Sequence, residues 1–135
     1  MHHPQIVVFE RDGRLAESLA APADTERWPL RGSRQVEACL RLLRQPGPAV
    51  LVVKVGKPPE RDLALVEQVS WQLPNVPVVV VGEVEDAAVL AGLAWDVGAS
   101  YALFPPLSRD LLPEVVVGLM RAAIARTFPS VRSAP

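Results

Sequence analysis

The chain is poor in several residue types that mark function. Its 135 residues include one cysteine, two histidines, two lysines and one tyrosine, and no apolar run approaches the roughly 20 residues of a membrane-crossing helix. One cysteine excludes an intramolecular disulfide, and no charged-then-apolar leader with a small-residue cleavage site opens the sequence. These absences lead to the expectation of a protein of the reducing cytoplasm that does not engage the membrane. The only histidines, His2 and His3, stand at a chain end, where an ordered metal site is not expected. A formal net charge of −1 lacks the basic excess that tracks phosphates, so nucleic acid is not an expected partner.

What is present suits one packed domain. Half of the residues are hydrophobic and 21% are charged, and a chain of this length buries roughly two-thirds of its unfolded surface in a single core. The expected organisation is a flexible segment over 1–4, a domain over 5–126 and a flexible tail over 127–135.

Hydrophobic patterning divides the domain. Gln5 to Phe9, Ala49 to Val53 and Val76 to Val81 are apolar, β-branched runs without polar alternation, the mark of strands covered on both faces. Tyr101 to Phe104 predicts a fourth strand, stopped by Pro105 and Pro106. Glu26 to Leu30 predicts a fifth, whose Pro29 confines it to an edge. Between them the period lengthens toward 3.6. A short helix is expected over Arg14 to Ala21, and another opens at Ser33 with Val36, Cys39, Leu40 and Leu43 inward. A third follows Pro58 and Pro59 with Leu63, Val66, Ser70 and Leu73 inward. Glu85 and Asp86 open a fourth with Leu90, Leu93, Ala94 and Val97 inward, capped by Gly98. The last begins at Ser108, its regular part nearer Leu112 because of Pro113, with Leu112, Val116, Leu119 and Ala123 inward. Strand and helix alternate five times. That order predicts an α/β, flavodoxin-like, doubly wound five-stranded parallel sheet of order 2-1-3-4-5, with helices on both faces.

In such folds ligands sit at the carboxyl ends of the strands. The residues there are Glu10, Arg11 and Asp12; Lys54, Val55, Gly56, Lys57 and Pro58; Gly82 and Glu83; Pro105 and Pro106. Val55-Gly56-Lys57 lacks the remaining residues of a phosphate-binding loop, and no GxSxG, HExxH, CxxC or GxGxxG occurs. An enzyme is therefore not expected, nor any cofactor.

Ile6 to Phe9, Val52 to Pro58, Pro77 to Gly82 and above all Gly98-Ala-Ser-Tyr-Ala-Leu-Phe-Pro-Pro-Leu107 resemble the receiver (CheY-like) domain of bacterial response regulators, over about Gln5 to Arg126. The resemblance implies where phosphorylation chemistry would sit, and those positions are degenerate. The phosphoacceptor aspartate falls on Lys54. The acidic pair that holds Mg²⁺ falls on Glu10 and Arg11, the Thr or Ser after the fourth strand on Gly82, the lysine after the fifth on Pro105, and the switch aromatic on Ala102. The resemblance thus implies a pseudo-receiver, independent of phosphorylation, that works by binding protein. It also implies a cis Pro105–Pro106 bond. Lys54 either pairs with Glu10 or extends its stem into water. Arg11, Lys54 and Lys57 could instead sense a small anion. Receivers associate through the fourth helix, fifth strand and fifth helix, where this chain carries Trp95, Tyr101, Leu111, Val115 and Met120 as a possible homodimer face, rimmed by Arg109, Asp110, Arg121 and Arg126. Trp28 and Trp71 are expected in the core, and Cys39 is expected to be buried and unreactive.

Overall fold

The computed structural model describes residues 3–83, 87–105, 107 and 109–127. Five strands, β1 (Gln5–Phe9), β2 (Leu30–Ser33), β3 (Ala49–Lys54), β4 (Val78–Val81) and β5 (Tyr101–Leu103), alternate with five helices: α1 (Arg14–Glu26), α2 (Val36–Leu43), α3 (Glu60–Gln72), α4 (Ala87–Asp96) and α5 (Leu112–Thr127). The strands form one parallel sheet in the order β2-β1-β3-β4-β5, with registers such as Ile6 to Leu30, Val7 to Leu51, Val52 to Val79 and Val81 to Leu103. Parallel strands need crossovers, the crossovers are helices, and both faces are therefore covered. Val7, Phe9, Leu51, Val53, Val78 and Val80 pack under α2, α3 and α4. Ile6, Val8, Val50, Val52, Val79 and Val81 pack under α1 and α5. Burial of each such side chain stabilises the fold by about 1.5–3 kcal/mol, so the uninterrupted valine runs select strands over helices.

Several local expectations are corrected. β2 begins four residues later than the expected Glu26 to Leu30, with Trp28 and Pro29 in the connection before it. Its Leu-Arg-Gly-Ser sequence has little strand propensity, and pairing with β1 supplies what propensity does not. Ser33 ends this strand rather than capping α2, whose N-cap position is Gln35. α1 runs past Ala21 to Glu26 with Pro22 inside it and closes on Arg27 in a left-handed conformation, φ 60°. In α3 the buried residues include Leu65 and Val69, while Ser70 and Leu73 are only half-buried. Leu93 on α4 is exposed. α5 turns Leu112, Val116, Met120 and Ala123 inward, which leaves Leu119 half-buried.

Trp71 is 82% exposed, contrary to the expectation of a core residue, whereas Trp28 is buried. Cys39 is fully buried, and burial pushes its thiol up to about 12, the setting of an inert structural cysteine. Gly98 has φ 107° after α4 and leaves room for Ser70, whose Cβ would lie 2.6 Å from a Cβ at this position. Among the described residues no helix is long and apolar enough to cross a membrane. The expected helix-opening residues Glu85, Asp86 and Ser108, the Pro105–Pro106 bond and residues 128–135 lie outside the described residues.

Candidate functional site

The carboxyl ends of β1, β3 and β4 border a cleft of about 270 Å³ lined by Arg11, Asp12, Lys54, Gly56, Lys57 and Glu83, with Val55 and Leu90 supplying apolar wall. Arg11, Lys54 and Lys57 are thus brought together as the sequence suggested. The charge arrangement differs from the one expected.

Lys54, the last residue of β3, does not pair with Glu10. Its Nζ lies 2.7 Å from Asp12 Oδ2 and 3.8 Å from Glu83 Oε1, and its side chain is only 15% exposed. Glu83 in turn lies 3.0 Å from Arg109 Nη2 in the short 3-10 turn before α5. Asp12, Lys54, Glu83 and Arg109 therefore form a line of alternating charge across the mouth of the sheet. The ammonium of Lys54 sits between two carboxylates, where an incoming anion would have to displace one of them.

Glu10 is turned toward the protein. Its buried carboxylate accepts the backbone N–H of Leu15 at 2.8 Å through Oε1 and that of Ala16 at 2.9 Å through Oε2. Asp12 Oδ1 accepts the N–H of Arg14 at 3.1 Å. The N-cap residue Gly13 has no side chain to offer, so these two carboxylates satisfy the first N–H groups of α1 and meet the positive end of its dipole. A carboxylate bound in this way is a helix cap, and the reason Glu10 cannot reach Lys54 is that α1 holds it.

Two further groups went unread in the sequence. Asp62, buried in the first turn of α3, accepts the Gly56 N–H at 2.7 Å and closes the β3–α3 connection, which contains the cis Lys57–Pro58 bond. A Cβ on Gly56 would stand 3.3 Å from Arg11 Nη1, so the guanidinium of Arg11 lies along this connection. Phe104, directly after β5, lays its buried ring over Gly82: a Cβ on Gly82 would stand 1.9 Å from its Cε2. Gly82 thus does more than lack a hydroxyl; it makes room for an aromatic ring. An acidic residue in a first helical turn and a glycine at the end of the strand next to an aromatic were the available signals, both too common to single out alone.

The electrostatics follow the geometry. The Lys54 hydrogen bond, aided by the Arg14 N–H, holds the Asp12 carboxyl well below the usual carboxylate range. The Arg109 hydrogen bond lowers that of Glu83 against the opposing effect of desolvation. A lowered native pKa contributes stability above the unfolded-state value, about 4, and that contribution is lost as pH falls toward the native value. Urea titrations across the acid range should therefore show declining stability below about pH 4, and Asp12→Asn should flatten part of the decline. An unchanged slope in that variant would show that the pair contributes nothing.

No protein-family model matches the chain, and no curated protein matches its sequence. Solved structures do match. The receiver domain of the Francisella response regulator 1452 superposes with a TM-score of 0.70 at 19% identity, over 89% of this chain and 98% of that one. The chain has the receiver fold. NtrX from Brucella abortus gives a TM-score of 0.70 at 19% identity over 96% of this chain, which spans only 29% of NtrX. An uncharacterized protein from Neptuniibacter caesariensis gives 0.74 at 17% identity, over 93% of this chain and 92% of that one. At these identities the likeness is one of fold.

The face suggested for association divides in two. Met120 is fully buried, and Leu111 and Val115 pack half-buried against the α1 and α5 side of the core, because α5 uses the 112, 116, 120, 123 stripe. The part on α4 and β5 stays open. Trp95 is 51% exposed with its ring centroid 6.4 Å from that of Tyr101, and Val89 and Leu93 are exposed elsewhere on α4. Between α4 and β5 lies a groove of about 410 Å³ lined by Ala88, Ala91, Trp95, Tyr101, Phe104 and Leu107, among others.

Proposed function

We propose that this chain is a phosphorylation-independent pseudo-receiver that acts as a protein-binding module in bacterial signalling or regulation. The observation that carries the reading is the Lys54 ammonium at the end of β3, held 2.7 Å from Asp12, where the sequence resemblance to receivers puts their phosphoacceptor aspartate. An amine there provides no carboxylate for an acyl phosphate. Arg11 opposes a hard divalent cation, which needs oxygen ligands. Incubation with acetyl phosphate and Mg²⁺ should leave no phosphoryl increment on the intact mass, and millimolar Mg²⁺ should not raise the melting temperature. A phosphorylated aspartate near β3 or a saturable Mg²⁺-dependent shift would overturn the reading.

The partner-facing element in this reading is α4 with β5. α4 is apolar nearly all round, Asp96 being its one charged residue, and a helix apolar beyond a single stripe has a second surface to bury. The expected assembly is a two-fold dimer that covers Leu93 and Trp95. Light scattering should give the mass of two chains, and Leu93→Glu the mass of one. A monomer at high concentration would assign the face to a different protein.

The second reading, a sensor of small anions, draws support from the convergence of Arg11, Lys54 and Lys57 on one cleft. Asp12 and Glu83 line the same cleft and weigh against it. Melting in phosphate and sulfate at constant ionic strength separates the two, with no anion-specific shift expected for the protein-binding module.

A further inference from the structure

The opposite edge of the sheet has its own chemistry. Among the described residues β2 pairs only with β1, so one side of it is open. The Ile6 N–H donates to the Pro29 carbonyl and the Glu10 N–H to the Ser33 carbonyl, which fixes the alternation. Residues 29, 31 and 33 turn their backbone groups to β1, and Leu30 and Gly32 turn theirs outward. Gly32 is exposed, and a Cβ there would meet nothing within 4 Å.

The charge around this edge is mainly positive. Residues 27–44 hold five arginines and a single carboxylate, Glu37, in a chain whose net charge is −1. Arg31, Arg34, Arg41 and Arg44 are all exposed, and among the described residues none has a carboxylate within ion-pair distance. Arg31 is the register partner of Val7, so it projects on the face that α2 covers. Arg41 and Arg44 stand one turn apart along α2. Arg61 extends the patch from α3: it donates to the Arg34 carbonyl at 2.8 Å and lies over the Phe9 ring, 5.3 Å from its centroid.

We propose that an acidic segment of another polypeptide adds to β2 as an extra strand, its carboxylates meeting Arg31, Arg34, Arg41 and Arg44. Open backbone donors and acceptors select a polypeptide in extended form, and guanidinium groups without a carboxylate partner, of which Arg44 donates to Gln72 Oε1 at 2.9 Å, select one rich in carboxylates. A second copy of this chain is repelled, because edge-to-edge pairing would set Arg31 against its own like charge. A nucleic acid lacks its usual stacking platform, since Trp28 is buried and Phe9 lies beneath Arg61. This surface is separate from the α4 and β5 groove and from the cleft at the strand ends, so its test does not depend on either.

The test uses the full chain and a fluorescent peptide alternating glutamate with threonine or valine, read by anisotropy at two salt concentrations. Companion probes are the glutamine version, a version N-methylated at alternate residues, and a duplex oligonucleotide. The glutamate peptide should bind saturably, and the glutamine and N-methylated versions about tenfold more weakly or worse. Arg31→Glu with Arg41→Glu should weaken binding by a similar factor, while Arg126→Glu on α5 should not. Circular dichroism confirms that these exposed substitutions leave the fold intact. The proposal is overturned if the glutamate peptide does not bind, if N-methylation makes no difference, if Arg126→Glu weakens binding equally, or if the oligonucleotide binds as tightly.

Discussion

Glu10→Ala is expected to lower the free energy of unfolding by about 3 kcal/mol or more, measured by urea titration with an unchanged slope. The side chain is 5% exposed and accepts two N–H groups of α1 at 2.8 and 2.9 Å. Each is a charge-assisted bond worth about 1.5–3 kcal/mol, and its loss leaves a donor with poor access to water. Gly13 cannot substitute, because it has no side chain and already occupies the left-handed N-cap position. Glu10→Gln keeps one acceptor oxygen and sets an amide NH₂ against the second donor, so it should fall between wild type and alanine. A loss under about 1 kcal/mol in Glu10→Ala would show that water caps α1 as well as the carboxylate does. Because Leu15 and Leu19 of α1 are core residues beneath this cap, hydrogen exchange should also quicken along α1 in the variant.

The second large effect belongs to Gly82→Thr. A Cβ at this position would lie 1.9, 2.3 and 2.7 Å from three carbons of the Phe104 ring, so the ring must leave. Phe104 is 3% exposed and belongs to the core on the α2, α3 and α4 side. Expelling it forfeits roughly 2–3 kcal/mol of apolar burial, and forcing it to stay costs a similar amount in strain. The expected loss is about 3 kcal/mol. Phe104→Leu in the Gly82→Thr background should recover part of it, since the two positions share one volume and their effects cannot be additive. Phe104 also lines the groove between α4 and β5, so a displaced ring would enter the surface assigned to a partner. A Gly82→Thr protein as stable as wild type, or additive single and double variants, would refute the contact.

The parts of the fold that could be read in the sequence were those where burial dominates. β1, β3, β4 and β5 are runs of valine, leucine, isoleucine and aromatics whose side chains have nowhere to go but two covered faces, and their positions follow from that. β2 escaped because Leu30, Arg31, Gly32 and Ser33 are only half-buried or exposed, and a strand made by its neighbour leaves no apolar mark of its own. The burial stripe of α5 was misplaced by one residue at Leu119 and Met120 because the helix is apolar on several sides, so periodicity alone does not choose between them.

At the candidate site, sequence position identified which residues gather at the strand ends but not which of them touch. Glu10 and Asp12 both stand within reach of Lys54 along the chain. The N-terminus of α1 decides between them by taking both oxygens of Glu10 and only one of Asp12, which leaves Asp12 Oδ2 for the lysine. That choice depends on side-chain rotamers, which spacing does not encode. Arg109 joined the site through a turn about a hundred residues from β1 in a chain where no motif announces it.

The uneven burial of the three tryptophans makes the protein its own spectroscopic reporter. Trp71 and Trp95 already face water at 82% and 51% exposure, so unfolding changes their surroundings little. Trp28, at 8%, packs between α1 and β2, and the red shift of emission on denaturation therefore comes from that corner. Coverage of α4 acts in the reverse sense, moving Trp95 out of water and its emission to the blue. One unlabelled emission scan thus separates loss of the β2 corner from occupation of the α4 face by the direction in which the maximum moves.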